Sequence, residues 1–258
     1  MIIAVYNDKG GSGKTPLAAA IASWSAHQGH RVLLVDLDPQ AALTTWADPD
    51  PNTIDLTTLD VLTLPPAKQA LRRAIVPTGP GWPDTIDILP ATSDLNDLEN
   101  AGDLPNLEGR LAHVLTHQLA GYDLTVIDAP PTRGRLPKNA IRAAQRVLIP
   151  AQTEPTAGNS VGKALGLIDE LAAWGGPTAV PVGIVPTRFD QRQGTALRVL
   201  EDLQQAYSDS PVPLLPPIKC STMLSVAQEQ ARALEMNRPS DDPRVFHWLD
   251  THLPKVLG

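Results

Sequence analysis

Apolar and polar positions along this chain follow two different periods. Residues 2–6 (IIAVY), 32–35 (VLLV), 86–89 (IDIL), 124–127 (LTVI), 146–149 (RVLI) and 180–185 (VPVGIV) are short runs dominated by apolar, often β-branched residues. Such runs predict strands buried on both faces, the pattern of a parallel sheet covered by helices. Between them the period lengthens. Leu17, Ile21 and Trp24, with alanines between, predict a helix that stops at Gly29, a residue suited to a helix C-terminus. Leu107, Leu111, Val114, Leu115 and Leu119 follow the period of an amphipathic helix, and further helices are predicted at 158–173, 191–206, 222–236 and 243–257. Strand and helix thus alternate. The expected fold class is α/β, a single doubly wound, mostly parallel sheet with helices on both faces, with residues 1–258 forming a single domain. Residues 48–85 break the alternation with many prolines, a PGWPD turn and a short helical candidate near 68–74. They are read as an elaborated connection within that domain.

Composition changes this picture little. Hydrophobic residues make up 42% of the 258, enough for a substantial core, and only 4% are aromatic, so that core is mostly aliphatic. The lone cysteine, Cys220, excludes an internal disulfide framework and fits a reducing compartment. The first residues carry neither a basic segment nor a long apolar run, and no stretch is apolar enough to span a bilayer. A net charge of −7 does not advertise nucleic-acid binding, although a local basic patch is compatible with it.

The chemistry concentrates at strand ends. After the first strand comes KGGSGKTP at 9–16. Gly13, Lys14 and Thr15 match the end of the phosphate-binding loop G-x-x-x-x-G-K-[ST]. Backbone N–H groups of Gly10, Gly11, Ser12, Gly13, Lys14 and Thr15 can wrap a diphosphate where the following helix adds partial positive charge. Lys14 suits the β- and γ-phosphates and the Thr15 hydroxyl suits Mg²⁺. The first glycine of that pattern is replaced by Asp8, and an additional lysine, Lys9, follows. Asp36 and Asp38, in VDLDPQ, directly follow the second strand; they fit either a ligand crevice or caps of an Asp-Pro turn. Asp128 ends an apolar strand in VIDAPP, the usual form of the acidic element that contacts Mg²⁺ in phosphoryl-transfer sites.

Read together, x-K-G-G-x-G-K-[ST], V-D-x-D-P-Q and VIDAPP resemble the motifs of the ParA/MinD ATPases, the deviant phosphate-loop relatives of nitrogenase iron protein. The resemblance covers about residues 1–47 and 86–236 and is strongest in the first 47. It implies a P-loop NTPase fold and ATP hydrolysis to ADP with ATP/ADP and Mg²⁺ as cofactors. Lys9, Lys14 and Asp38 would be catalytic, Lys9 crossing an ATP-sandwich homodimer and Asp38 positioning the attacking water. Thr15, Asp36 and Asp128 would serve the metal. The segment after Asp128 resembles the family's γ-phosphate sensor, with Gly134 permitting movement. Pro186, Thr187 and Arg188, with Pro216 opposite, would border adenine, although Pro-Thr-Arg is also ordinary turn chemistry. Pro16 and Asp8 depart from the family pattern.

The phosphate loop starts so early that no helix-turn-helix domain is expected before it, which resembles the small plasmid-type ParA proteins. That subgroup implies a cytoplasmic, nucleoid-associated partition protein that binds non-specific double-stranded DNA and is stimulated by a ParB-like partner, with no membrane partner. Arg192, Arg198 and Lys219 are the candidate phosphate contacts, with Lys163 a weaker one. A MinD-like ATPase acting on a membrane or scaffold, and a small-molecule enzyme such as a biotin-pathway ligase, stay open as alternatives. For residues 244–258 a helix packed on the protein is expected, because a membrane-surface helix normally carries more cations than the single Lys255.

Overall fold

The computed structural model describes residues 1–64, 70–100, 106–118, 121–235 and 243–257. Seven strands form one sheet: β1 (Ile2–Val5), β2 (Val32–Asp36), β3 (Val76–Pro77), β4 (Ile86–Leu89), β5 (Leu124–Asp128), β6 (Arg146–Gln152) and β7 (Val180–Thr187). Their order is β3-β4-β2-β5-β1-β6-β7, and every neighbouring pair is parallel except β3–β4. The chain crosses from β1 to β2 through α1 (Lys14–His27) and from β5 to β6 through α7 (Arg135–Ala143). It reaches β7 through α8 (Ala157–Ala173) and continues into α9 (Gly194–Ala206). Parallel strands need such crossovers, and the helices bury both faces of the sheet. Two apolar clusters result. Leu33, Val35, Ile127 and Val147 pack on one face with α7 and α8, while Ile3, Val5, Leu34 and Val126 pack on the other with α1.

The register carries the functional consequence. β1 lies inside the sheet with β5 on one side and β6 on the other, the kind of order reversal at which doubly wound proteins bind ligands. Val5 pairs with Asp128 and Asp36 pairs with Asp128, so the loop after β1 and both acidic strand ends share one edge.

The segment 48–85 is structured by aromatic packing. The short helices α2 (Ala42–Ala47), α3 (Thr58–Thr63) and α4 (Ala70–Ala74) lead into β3, an antiparallel edge strand. The Trp82 indole donates to the Trp46 carbonyl at 3.0 Å, the Trp46 indole donates to the Arg232 carbonyl at 2.8 Å, and the two rings meet edge to face at 6.2 Å. Val76 and Trp82 therefore close over the apolar face that α1 covers, while Val61, Leu62, Leu71 and Ala74 of α3 and α4 pack on the opposite face.

Several expectations change in detail. Gly29 does follow the first helix, with a φ of 88°. The helix expected at 107–119 begins as a 3-10 turn and becomes α6 (Arg110–Gln118); Leu119 lies outside the described residues, as does the start of the 68–74 candidate. The helix expected at 222–236 is shorter: α10 (Thr222–Glu229) stops before Ala231, whose φ of 47° turns the chain away. α7 has no counterpart in the periodicity reading, where Pro137 obscures it. Proline is tolerated there because it sits in the first turn, where its missing N–H has no helical partner. α11 (Pro243–Leu257) buries Val245, Trp248, Leu249, Leu253 and Val256 in the same cluster as α1, and Asp250 accepts the Trp24 indole N–H at 2.5 Å. Its apolar face is thus covered by the protein's own core.

Gly134 also borders a long-range helix cap. The Glu99 carboxylate, on α5 (Asn96–Asn100), accepts the N–H groups of Arg135 at 2.8 Å and Leu136 at 3.2 Å, capping α7. A Cβ at Gly134 would meet that carboxylate, which would have to swing off the cap to make room. Glu99→Ala and Gly134→Ala are each expected to lower stability by about 1 kcal/mol or more, the scale of a lost helix cap. The double variant should cost less than the sum in urea unfolding, because both remove one contact.

Candidate active site

The loop between β1 and α1 carries the cationic half of the site. Gly11 and Gly13 adopt φ of 76° and 91°, which turns the backbone tightly and leaves the first N–H groups of α1 without a side-chain cap. Thr187 at the end of β7 donates its hydroxyl to the Ser12 carbonyl at 2.7 Å and packs beneath Gly13, fixing the loop against the sheet. Asn7 anchors the loop's start, donating to the Pro150 carbonyl at 2.7 Å and accepting the Lys9 N–H at 3.0 Å. The Ser12 hydroxyl is buried without a hydrogen-bond partner. Lys14 is only 6% exposed, and its ammonium curls back over the loop to donate to the Lys9 carbonyl at 3.0 Å. Burial pulls its pKa down, opposed by the charges of Asp128, Asp38 and Asp8.

The anionic half comes from β5 and β2. Asp128 is buried; its Oδ2 accepts the Thr15 hydroxyl at 2.6 Å, while its Oδ1 has no partner. Burial first, then the charge of Asp36, raises its pKa well above the ordinary carboxylate value, with Thr15 and Lys14 working against the rise. An orphaned buried carboxylate oxygen beside a hydroxyl, in an all-oxygen donor set, fits a hard divalent cation such as Mg²⁺. Asp36 differs. It is fully buried, with Oδ1 accepting the Asp38 N–H at 3.0 Å and Oδ2 accepting both the N–H and the hydroxyl of Thr44 at 2.8 Å. Burial pushes its pKa up to about 6 even though these donors stabilise the anion. Both of its oxygens are committed to the chain, and they shape the turn that presents Asp38. Asp38 is half-buried and caps the same turn through the Gln40 N–H at 2.9 Å.

The two departures from the family loop acquire partners here. Asp8 faces Lys163 of α8 at 4.0 Å. Pro16 lines a cavity of about 320 Å³ beside the loop, together with Gly13, Leu17, Thr187, Arg188 and Leu224. The far wall comes from residues 218–221, and Val245 and Leu249 of α11 add apolar surface. Of the residues expected around adenine, Thr187 and Arg188 line this cavity, whereas Pro186 and Pro216 do not. Pro186 is buried in β7, and the exposed Pro216 gives its carbonyl to the Trp248 indole at 2.8 Å.

Among the three candidate DNA contacts, Arg192 is already engaged. Its guanidinium grips Asp190 at 2.9 and 2.8 Å and holds that carboxyl well below the usual carboxylate range. Arg198, on α9, and Lys219, bridged to Phe189 beside the end of β7, are exposed. The most consequential residue missed by sequence reasoning is Glu154, two positions beyond β6. With Thr156 it receives the Lys9 ammonium, the Thr156 hydroxyl at 2.7 Å. An acid just past the C-terminal end of a strand that neighbours β1 is the signal that would have found it.

A loop of this form at the N-terminus of a buried helix, with acidic strand ends beside it, defines a P-loop nucleotide-binding protein. A family model described as an AAA domain matches residues 1–174. The chain is 33% identical over 204 residues to the chromosome partitioning protein ParA of Myxococcus xanthus, covering 79% of this chain and 70% of that one. It is 33% identical to the chromosome-partitioning ATPase Soj of Thermus thermophilus, covering 80% of this chain and 77% of the relative. Among solved structures, an ATP-analogue and magnesium complex of a cobyrinic acid a,c-diamide synthase from Mycobacterium smegmatis superposes with a TM-score of 0.74 at 33% identity, covering 89% of this chain and 92% of that one. An ATP complex of Cyanothece McdA shares the fold at a TM-score of 0.78 and 21% identity, covering 100% and 96%. The chain belongs to the ParA/Soj family of ATPases, and it is an ATP hydrolase.

Thr44→Val tests the electrostatics of Asp36. Its raised pKa means that the folded chain binds this proton more tightly than the unfolded chain, so Asp36's contribution to stability rises as pH falls from 7 towards 5. Removing the Thr44 hydroxyl should cost about 1.5–3 kcal/mol at pH 8, where the bond is charge-assisted, and less at pH 5. Urea midpoints at the two pH values, in EDTA, check this.

Proposed function

We propose that this chain is a nucleotide-switched partition ATPase. The observation that carries the reading is the convergence of Lys14, Thr15, Asp128 and Asp38 at the loop that also bears Lys9. In this reading the loop N–H groups and Lys14 hold the phosphates of ATP. Thr15 and Asp128 hold Mg²⁺, which neutralises phosphate charge, and Asp38 orients the attacking water. Asp36 supports Asp38 rather than touching the metal. The cavity beside Pro16 takes the base. Lys9 reaches the γ-phosphate of a second copy, so that ATP is the adhesive of a homodimer and hydrolysis dissolves it. Positioned cations of this kind stabilise charge that spreads onto the transferred phosphoryl group.

The dimer binds duplex DNA without sequence preference, through Arg198 and Lys219 more than through the compensated Arg192, and a ParB-like partner stimulates its turnover. The chain is also 29% identical to the maintenance of carboxysome distribution protein A of Synechococcus elongatus, covering 87% of this chain and 88% of the relative, which supports cargo positioning as a second reading. The diamide synthase likeness supports a small-molecule reading.

Lys9→Ala is expected to leave ATP binding by the monomer within about threefold, on the scale of one exposed ion pair, while abolishing ATP-dependent dimers in sedimentation and stimulated hydrolysis. Lys14→Ala should lose nucleotide binding altogether. Intact dimerisation in Lys9→Ala refutes the mechanism.

Asp38→Ala with ATP should bind random duplex DNA with steep salt dependence, and Lys219→Glu in that background should weaken binding across all sequences and reduce the salt slope by about 1 or more. Liposome binding without DNA binding would favour the scaffold reading. Turnover stimulated by a small acceptor but not by DNA would favour the third.

A further inference from the structure

Lys9 is held within its own chain. Its ammonium pairs with the Glu154 carboxylate and with the Thr156 hydroxyl at 2.7 Å, and its side chain is only 27% exposed. Its backbone is fixed as well: the N–H donates to Asn7 and the carbonyl accepts from Lys14. The partners are equally well placed. Glu154 donates its N–H to the Gln152 carbonyl at 2.7 Å, and its own carbonyl accepts the Ala157 N–H at 2.8 Å, which ties the turn to the start of α8. Thr156 is the residue that precedes α8. Neither residue belongs to the loop, to the acidic strand ends or to the cavity that lies beside them.

We propose that Glu154 and Thr156 are positioning residues for Lys9: they form an in-chain dock that competes with a second copy's phosphate for the same ammonium and so sets the ATP concentration at which the protein dimerises. The inference rests on the reading of Lys9 given under Proposed function. One ammonium cannot satisfy a carboxylate at its own β6–α8 turn and a phosphate across an interface at once. The carboxylate therefore taxes the dimer by the strength of the pair, in the way that any minor competent state reduces apparent affinity. A phosphate dianion offers more charge and more acceptor oxygens than a single partly exposed carboxylate, so ATP wins the exchange while a weaker anion does not. Thr156 sharpens the geometry by adding a second acceptor without adding charge.

The test is an ATP titration of the full chain by analytical ultracentrifugation with Mg²⁺ present, comparing wild type with Glu154→Gln, Glu154→Ala and Thr156→Val. ADP affinity of the monomer and thermal unfolding serve as controls. The expected result is a graded fall in the half-maximal ATP concentration, largest for Glu154→Ala at roughly fivefold and smaller for Glu154→Gln and Thr156→Val, the scale of one partly exposed charge-assisted pair. ADP affinity should not change, which a merely structural defect in the loop would not permit. Unchanged or raised midpoints in Glu154→Gln and Thr156→Val with normal unfolding overturn the dock while leaving the dimer reading intact. A dimer formed by Glu154→Ala but not by wild type supports the dock strongly. Absence of an ATP-dependent dimer in every protein overturns both.

Discussion

Two carboxylates and one ammonium lie buried together at the C-terminal edge of the sheet, and the surrounding structure answers to the cost of keeping them there. Asp36, Asp128 and Lys14 are all withdrawn from water, and burial shifts each towards its neutral form. Such groups persist only when paired and hydrogen-bonded. Asp36 has three donors from Asp38 and Thr44. Asp128 has Thr15 on one oxygen and nothing on the other, and Lys14 has a single carbonyl. The unsatisfied remainder points to what the site binds: an anion for the lysine and a cation for the aspartate.

The parallel register makes this arrangement possible. A β1–β5–β2 alignment that pairs Val5 and Asp36 with Asp128 brings three chain segments to one edge without any local contact between them. The α1 crossover then buries the helix that follows the loop against the sheet on one side and α11 on the other. The loop is consequently tied to the sheet through Asn7 and Thr187, whereas the Lys9 ammonium is held by the side chains of Glu154 and Thr156. Such support beneath one side-chain-held cation is what the proposed nucleotide-dependent dimer would use.

The legible part of the site is the part encoded by neighbours in sequence. Gly13, Lys14 and Thr15 are recognisable because a phosphate loop requires a positive φ, an ammonium and a hydroxyl at fixed spacing. Asp38 is recognisable because two close acids after an apolar strand are poorly explained as core, and Asp128 because it follows the loop and that pair in order. Most strands are legible for the same reason, since a run such as 32–35 states its own burial. α7 is not, because Pro137 mimics a breaker until its place in the first turn is known. Asp36 resists assignment from sequence: it has the form of a metal ligand, and only its contacts with Thr44 show that both oxygens are engaged.

The order of strand, glycine loop, helix and acidic strand ends follows from residue types alone, because each element demands particular backbone angles or particular charges within a few positions. Those demands make the fold class and the phosphate chemistry readable from one end of KGGSGKTP to the other. Everything that depends on residues far apart was decided by the tertiary packing: the Glu99 cap on α7, the cavity that Pro16 lines, the covered face of α11 and the pairing of Lys9 with Glu154, 145 positions away. A side chain's charge is a local property, whereas its partner is set by which strands the sheet places side by side.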